Sequence, residues 1–237
     1  MNDDFFSIER MMEYFPKILA KFPISLYVVF VSTLLALILG TVLAVIRVKK
    51  IPVLHQFAGI YISFFRGTPI LIHIFLVYYG IPLLLNVIFG SNVASGWPKL
   101  IFVFLAFGMN EGAFLAEHIR AAILSVPRGQ TEAGHMVGLT GFQTFRRIVL
   151  PQAFRVLLPG LSAMIVGLLP ATALVYMLGI IDMMGMITVI SYSTQHSLEG
   201  YADAALIFVA ASIVLEKGSS ILIKKLNYGR KPVDGSL

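Results

Sequence analysis

The sequence predicts an all-α fold, a polytopic membrane helical bundle of about five transmembrane helices. Three observations carry this expectation. First, 58% of the 237 residues are hydrophobic and only 13% are charged, with a mean hydropathy of +0.87; a soluble domain has roughly 45–50% apolar and about 25% charged residues. Second, several apolar runs reach the ~20 residues a helix needs to cross a bilayer. Third, Lys and Arg gather in alternate connecting segments, the asymmetry that marks cytoplasmic loops. This composition leaves too little polar surface for a soluble enzyme and argues against a disordered or fibrous chain. The absence of cysteine removes disulfides, thiol nucleophiles and thiolate metal sites. The net charge of +6 and pI near 9.6 read as basic inner loops rather than a nucleic-acid surface.

The elements follow in chain order. Residues 1–23 form an amphipathic N-terminal segment. Phe5, Ile8, Met12, Phe15, Leu19 and Phe22 recur at spacings of three and four, and Glu13 and Lys17 stand at i, i+4 on another face. A short helix on the outer interface and an unstructured tail both remain open. Asp3, Asp4, Glu9 and Glu13 are acidic where a secretory signal is basic. Residues 24–224 are the membrane domain. Its first run, Ile24 to Ile46, carries no charge and stops at Arg47, Lys49 and Lys50. The second, about Phe57 to Phe89, is broken by Arg66-Gly67-Thr68-Pro69 and by Pro82. The third, about Leu100 to Leu124, contains Glu111 and Glu117. The fourth, about Phe154 to Leu178, holds Pro159 and Pro170; the fifth, about Ala204 to Ile223, is interrupted by Glu216 and Lys217. Residues 225–237 are expected to be a cytoplasmic tail, disordered from Asn227 onward.

Five spans put the termini on opposite sides. With the amino terminus outside, thirteen of the 18 Lys and Arg fall inside, and the outer loop from Gly179 to Asp203 has none. The positive-inside rule therefore predicts an outer amino terminus and an inner carboxyl terminus.

The inner segment of about residues 125–151 is too polar to span and too patterned for a plain linker. Gln130 to Val137 can form two helical turns. Gly138 suits the left-handed residue that ends a helix, and Thr140 can cap a second helix through Phe142, Phe145, Ile148 and Val149 that stops before Pro151. Ala133 and Gly134 leave the first helix almost bare, which would let another protein's groove approach. A bland interfacial connector stands as the competing reading.

The run Glu132-Ala133-Gly134, then Gly138, then Ile148-Val149-Leu150-Pro151 resembles the EAA loop of ABC importer permeases, with every spacing kept. Gly134 replaces the second Ala, a change that loosens a helix by about 1 kcal/mol. Phe64-Phe65-Arg66-Gly67-Thr68-Pro69 looks like the Phe-Arg-Gly-Thr-Pro signature of the polar amino acid uptake permeases. Asn110 to Glu117 resembles their Asn-Ser-Gly-Ala-Tyr-x-Ala-Glu segment, and Ser125 to Gln130 is similar almost letter for letter. The likeness covers roughly Ile24 to Ile223 and implies a type I ABC importer permease fold. It implies as partners two cytoplasmic ATP-binding subunits, a second permease subunit and an extracellular or periplasmic solute-binding protein, all around a bacterial inner membrane. The chain has no phosphate-binding Gly-x-x-x-x-Gly-Lys loop. No cofactor is expected in it, and ATP and Mg would sit on the partner. It is expected to be a transport subunit, not itself an enzyme.

The resemblance assigns Gln130, Thr131, Glu132, Ala133, Gly134, Gly138 and Leu139 to ATPase coupling. Glu132 is the expected handle, against a solvated carboxylate on the first helical turn. Ionisable groups at membrane depth are candidates for the substrate pathway. Glu111, beside Asn110, stands where relatives usually have Ser; it could meet a substrate ammonium or pair with a neighbouring helix. Arg66, next to Gly67 and Thr68, could hold a carboxylate at a helix break or anchor the loop. Thr68 and Thr172 are weaker candidates, since such hydroxyls commonly bond their own backbone. Glu117 and Arg120 read as a structural or gating pair. Relatives often carry Leu-Leu-Lys-Asp-Thr-Ser-Leu where this chain has Leu168-Leu169-Pro170-Ala171-Thr172-Ala173-Leu174. The lost carboxylate argues against a basic amino acid as substrate and allows a non-identical partner permease. His73, His118, His135 and His196 show no ligand spacing, Met183, Met184 and Met186 read as packing, and no metal site is expected. A membrane enzyme lacks its motif here. A stand-alone ion-coupled carrier or channel is the remaining alternative, though such proteins commonly carry repeats.

Overall fold

A computed structural model describes residues 6–90, 93–94 and 96–227. Phe5 and residues 228–237 of the expected tail lie outside them. Every regular element among the described residues is helical: α1 (Ile8–Leu19), α2 (Phe22–Lys49), α3 (Leu54–Gly67), α4 (Ile70–Phe89), α5 (Lys99–Leu124), α6 (Arg128–Met136), α7 (Gly141–Thr144), α8 (Leu150–Ala171), α9 (Met183–Thr194) and α10 (Leu198–Asn227). Among the described residues, five stretches are long and apolar enough to cross a membrane.

The centre of the bundle is the crossing of α2 and α5. Small residues repeat every fourth position on both, as Ala36, Gly40 and Ala44 on α2 and Gly108, Gly112 and Ala116 on α5. Small contact residues let helix backbones approach closely where no hydrophobic effect drives association. The fit is tight. A Cβ on Gly108 would lie 2.7 Å from Leu35 Cβ, and one on Gly40 would lie 3.0 Å from the Gly112 carbonyl oxygen. Around this seam Val28, Ile74, Val103, Phe107, Leu168 and Leu169 form the main core.

The second apolar run differs from its expected form. The Gly67–Pro69 break divides it into α3 and α4, and α4 alone has spanning length. The Thr68 backbone is extended, as a residue before proline prefers. The fourth span also differs. Pro151 does not end the preceding helix, because a π-helical turn over Phe145–Val149 carries the chain into α8, with Pro151 in the first turn. The helix is continuous through this point, the Leu150 N–H bonding the Phe145 carbonyl, and Pro151, having no N–H, leaves one bond of the ladder unmade at the π-to-α junction. After Pro170 the chain tightens to a 3-10 helix over Thr172–Leu178 and closes at Gly179, φ 70°.

The loop from Gly179 to Asp203 holds α9, which the sequence reading left as loop. Asp182 caps it, accepting from the Gly185 N–H at 2.8 Å. Helix α1 packs on α9 and α10 through Tyr14 and Ile18, against Met183, Ile187, Ile190, Ala204 and Ile207. The apolar stripe seen in the sequence points the other way: Ile8, Met12, Phe15 and Leu19 are exposed. An ion pair, Arg10 to Glu199 at 2.7 Å, fixes the docked face. The expected Glu13–Lys17 pair forms at 2.7 Å.

Candidate functional site

Two groups of residues merit attention, the elbow between α5 and α8 and the polar cluster where α3 breaks. The elbow begins at α6. Val137, Gly138 and Leu139 close that helix: the Leu139 N–H bonds the Gly134 carbonyl at 3.1 Å and the Gly138 N–H bonds that of His135 at 2.9 Å, with Gly138 at φ 83°. These paired bonds around a left-handed residue are the Schellman closure. Thr140 then caps α7 reciprocally with Gln143. The His135 ring Nδ1 donates to the Leu139 carbonyl at 3.2 Å, and the Gln152 amide donates to Gln130 at 3.4 Å.

The structure corrects one reason given for the bare helix. Gly134 does not face outward. It is buried against the elbow's second helix, where a Cβ would lie 2.7 Å from Thr144 Cγ2 and 3.0 Å from Ile148 Cδ1. Its smallness closes the elbow on itself. Gln130, Glu132, Ala133 and Gly138 are exposed, Thr131 and Leu139 are half-buried, and the apolar side chains of Met136 and Val137 stand 88% and 74% exposed. Glu132 has no hydrogen bond or ion pair with any described residue.

At the end of α5 next to the elbow, Arg120 donates to Glu117 from Nε at 2.8 Å and pairs with it through Nη2 at the same distance. Arg47 of α2 approaches the other Glu117 oxygen at 3.7 Å and donates to His55 Nε2 at 3.4 Å. Arg47 had served in the sequence only as a topology signal, because nothing in the sequence brings α2 beside the end of α5. The Glu117–Arg120 pair therefore extends into a clamp across α2, α3 and α5.

The break after α3 gathers the other candidates. Asn110 is buried and does not face an open space: its amide donates to the Phe65 carbonyl at 3.1 Å and to His73 Nδ1 at 3.1 Å. Thr68 donates to the Phe64 carbonyl at 2.7 Å and also contacts His73 Nε2. His73 is 1% exposed; the sequence had marked it as ordinary, and only the pairing of α4 with α5 reveals its partners. Arg66 is exposed beside exposed Gly67, and its guanidinium lies 5.5 Å from the centre of the Phe114 ring, within cation–π range. Glu111 is half-buried one turn before Phe114 and has no hydrogen bond or ion pair with any described residue. The alternative of an in-chain basic partner for Glu111 is thus not realised among them. Thr172 is fully buried and donates to the Leu169 carbonyl at 2.7 Å, so its hydroxyl is committed to its own helix.

Comparisons with known proteins agree with this architecture. Residues 20–226 match the family described as binding-protein-dependent transport system inner membrane component. The chain is 38% identical over 211 residues to the L-cystine transport system permease protein TcyL of Bacillus subtilis, covering 89% of this chain and 87% of that protein. It is 35% identical over 222 residues to the probable amino-acid ABC transporter permease protein PatM of Vibrio harveyi, covering 94% and 97%. It is 31% identical over 219 residues to a putative glutamine transport system permease protein GlnP of Rickettsia prowazekii (strain Madrid E), covering 91% and 97%. Among solved structures, a crystal structure of an amino acid ABC transporter with histidines superposes with a TM-score of 0.81 at 27% identity, covering 93% of this chain and 99% of that one.

Proposed function

The chain belongs to the family of binding-protein-dependent transport system inner membrane components, and on that premise we propose that it is the permease subunit of an ATP-driven importer of a polar amino acid. One observation carries the coupling half of this reading: an exposed, uncommitted Glu132 sits on α6, whose Schellman closure runs directly into the capping box that starts α7. A solvated linker has no need of so rigid a corner. Two ATPase subunits, carrying ATP and Mg, would grip α6 of each permease and move it as a lever. The second permease is identical or related, and a solute-binding protein delivers substrate from outside. Spans α5 and α8 join the elbow at its two ends and would rock with it, opening a midplane pathway to one side and then the other. The amino terminus lies outside, and the elbow and carboxyl terminus lie inside.

Arg66 and Glu111 define the substrate end of the reading. Neither side chain has a hydrogen-bond or ion-pair partner among the described residues, and Phe114 lies against Arg66 and stands a turn from Glu111. A zwitterionic amino acid supplies both complements, its carboxylate to Arg66 and its ammonium to Glu111. Relatives named for L-cystine and glutamine transport carry substrates of that class.

The test is reconstitution with ATPase and binding-protein partners. Glu132→Ala is expected to cut ATPase attachment and uptake about tenfold, and Gly138→Leu to abolish both. If both variants keep wild-type attachment and uptake, the coupling role of the elbow is wrong. Unchanged uptake by Glu111→Ala across a panel of amino acids refutes the substrate role.

A further inference from the structure

The hydrogen bonds at the α3 break assign a part to His73. Helix α3 ends at Gly67, and Pro69 has no N–H to offer. The carbonyls of Phe64 and Phe65 therefore lose their helical partners at a depth where water is scarce. Thr68 and Asn110 satisfy them, at 2.7 and 3.1 Å. His73 joins these two caps. The Asn110 amide nitrogen can only donate, so His73 Nδ1 accepts, at 3.1 Å. The ring proton is then on Nε2 and donates to Thr68 Oγ, whose own proton is given to Phe64. Every bond in the chain has one donor and one acceptor, and neutral His73 with Nε2–H is the form that satisfies them all. The ring is also held by Phe65, with centroids 4.6 Å apart. Arg66 is the residue directly after the two capped carbonyls.

We propose that His73 is the positioning residue of the substrate pathway: by tying Thr68 to Asn110 it fixes the broken end of α3, and so fixes where Arg66 stands relative to Phe114 and Glu111. This rests on the reading of Arg66 as a substrate contact. His73 itself touches no substrate, being buried.

The test uses the importer assembled with its ATPase and binding-protein partners in liposomes. It measures uptake per ATP hydrolysed for the amino acid that the wild type carries fastest. Arg66→Gln is expected to lower that ratio about tenfold, and His73→Leu to lower it comparably. His73→Gln, whose amide N–H reaches toward Thr68, should recover most of the loss. The double variant Arg66→Gln/His73→Leu should be no worse than Arg66→Gln alone, because a residue acting through Arg66 has nothing further to lose. Should His73→Leu not assemble, Thr68→Val cuts the same link while leaving the ring in place, and it must reproduce the loss. Additive losses in the double variant, no recovery with His73→Gln, or a silent Thr68→Val would overturn the proposal while leaving the substrate role of Arg66 intact. A silent Arg66→Gln would remove that role and this inference with it.

Discussion

Two carboxylates at the head of α10 show how differently neighbouring acids can be treated. Glu199 is fully buried and accepts from the Ser7 N–H at 3.0 Å and from Arg10 Nε at 2.9 Å. Asp203, one turn on, is equally buried, and neither of its oxygens has a hydrogen-bond partner among the described residues. Glu199→Ala removes the acceptor of both hydrogen bonds and the ion pair to the part-exposed Arg10, so it should lower the melting temperature of the purified protein by a few degrees. Asp203→Asn deletes a like charge at i, i+4 and is expected to raise it. A melting temperature lowered by Asp203→Asn would show that the carboxylate has a partner the hydrogen bonding misses. Asp182 adds a pH dependence. Burial pushes its carboxyl up to about 6, against the Gly185 N–H and other backbone bonds that hold it down. The folded value lies above the unfolded one, so the unfolded chain releases its proton first. The stability from this group is complete below about pH 4 and is lost as pH rises through about 6. Thermal melts between pH 4 and 7 should therefore be flatter for Asp182→Asn than for the wild type, and an unchanged slope would exclude the effect.

At the scale of elements, the seam between α2 and α5 is the part most sensitive to size. A methyl on Gly40 meets the Gly112 carbonyl and the Ala116 nitrogen at 3.0 and 3.2 Å. These are backbone atoms that cannot turn aside, whereas a methyl on Gly112 meets only Leu39 side-chain atoms, at 3.1–3.3 Å. Overpacking typically costs 1–3 kcal/mol. Gly40→Ala should therefore destabilise the protein by about 2 kcal/mol and Gly112→Ala by less; equal effects in a denaturation series would mean the helices shift freely. The sequence made the helices themselves legible, because length and apolarity alone select a span. It did not reveal this seam, since Gly40 reads as one more small residue in an apolar run until α5 is laid beside it. Gly134 is the same case in the elbow: its smallness was evident, but whether it faced a partner or Thr144 depended on a fold-back that no local signal encodes. Helix α9 was missed for another reason. Its run from Met183 to Thr194 mixes apolar residues with Thr188, Ser191, Ser193 and Thr194 and shows no clean helical stripe, and only Asp182 as a cap marked its start.

For the whole molecule, the decisive variable is which end faces the cytoplasm. The Arg47–Glu117–Arg120 clamp joins the end of α2 to the end of α5. Lys99 bonds the Leu178 carbonyl at 2.7 Å and joins the start of α5 to the close of the fourth span. The helix ends are thus sorted into two sets, and the elbow, which follows α5 directly, belongs with the clamp. The basic residues concentrate at that end, and the Asp182, Glu199 and Asp203 carboxylates concentrate at the other. Moving the clamp end outward would require exporting most of the chain's Lys and Arg, against the bias that sets topology. The chain has no native cysteine, so single cysteines report cleanly. Gln195→Cys lies on an exposed turn after α9, and Lys225→Cys on the exposed end of α10. A membrane-impermeant maleimide should label the first in intact cells and the second only after permeabilisation. The reverse pattern would put the elbow beyond the reach of any nucleotide-hydrolysing partner, because ATP is a cytoplasmic fuel. Coupling through Glu132 would then be physically impossible, whatever the elbow's shape.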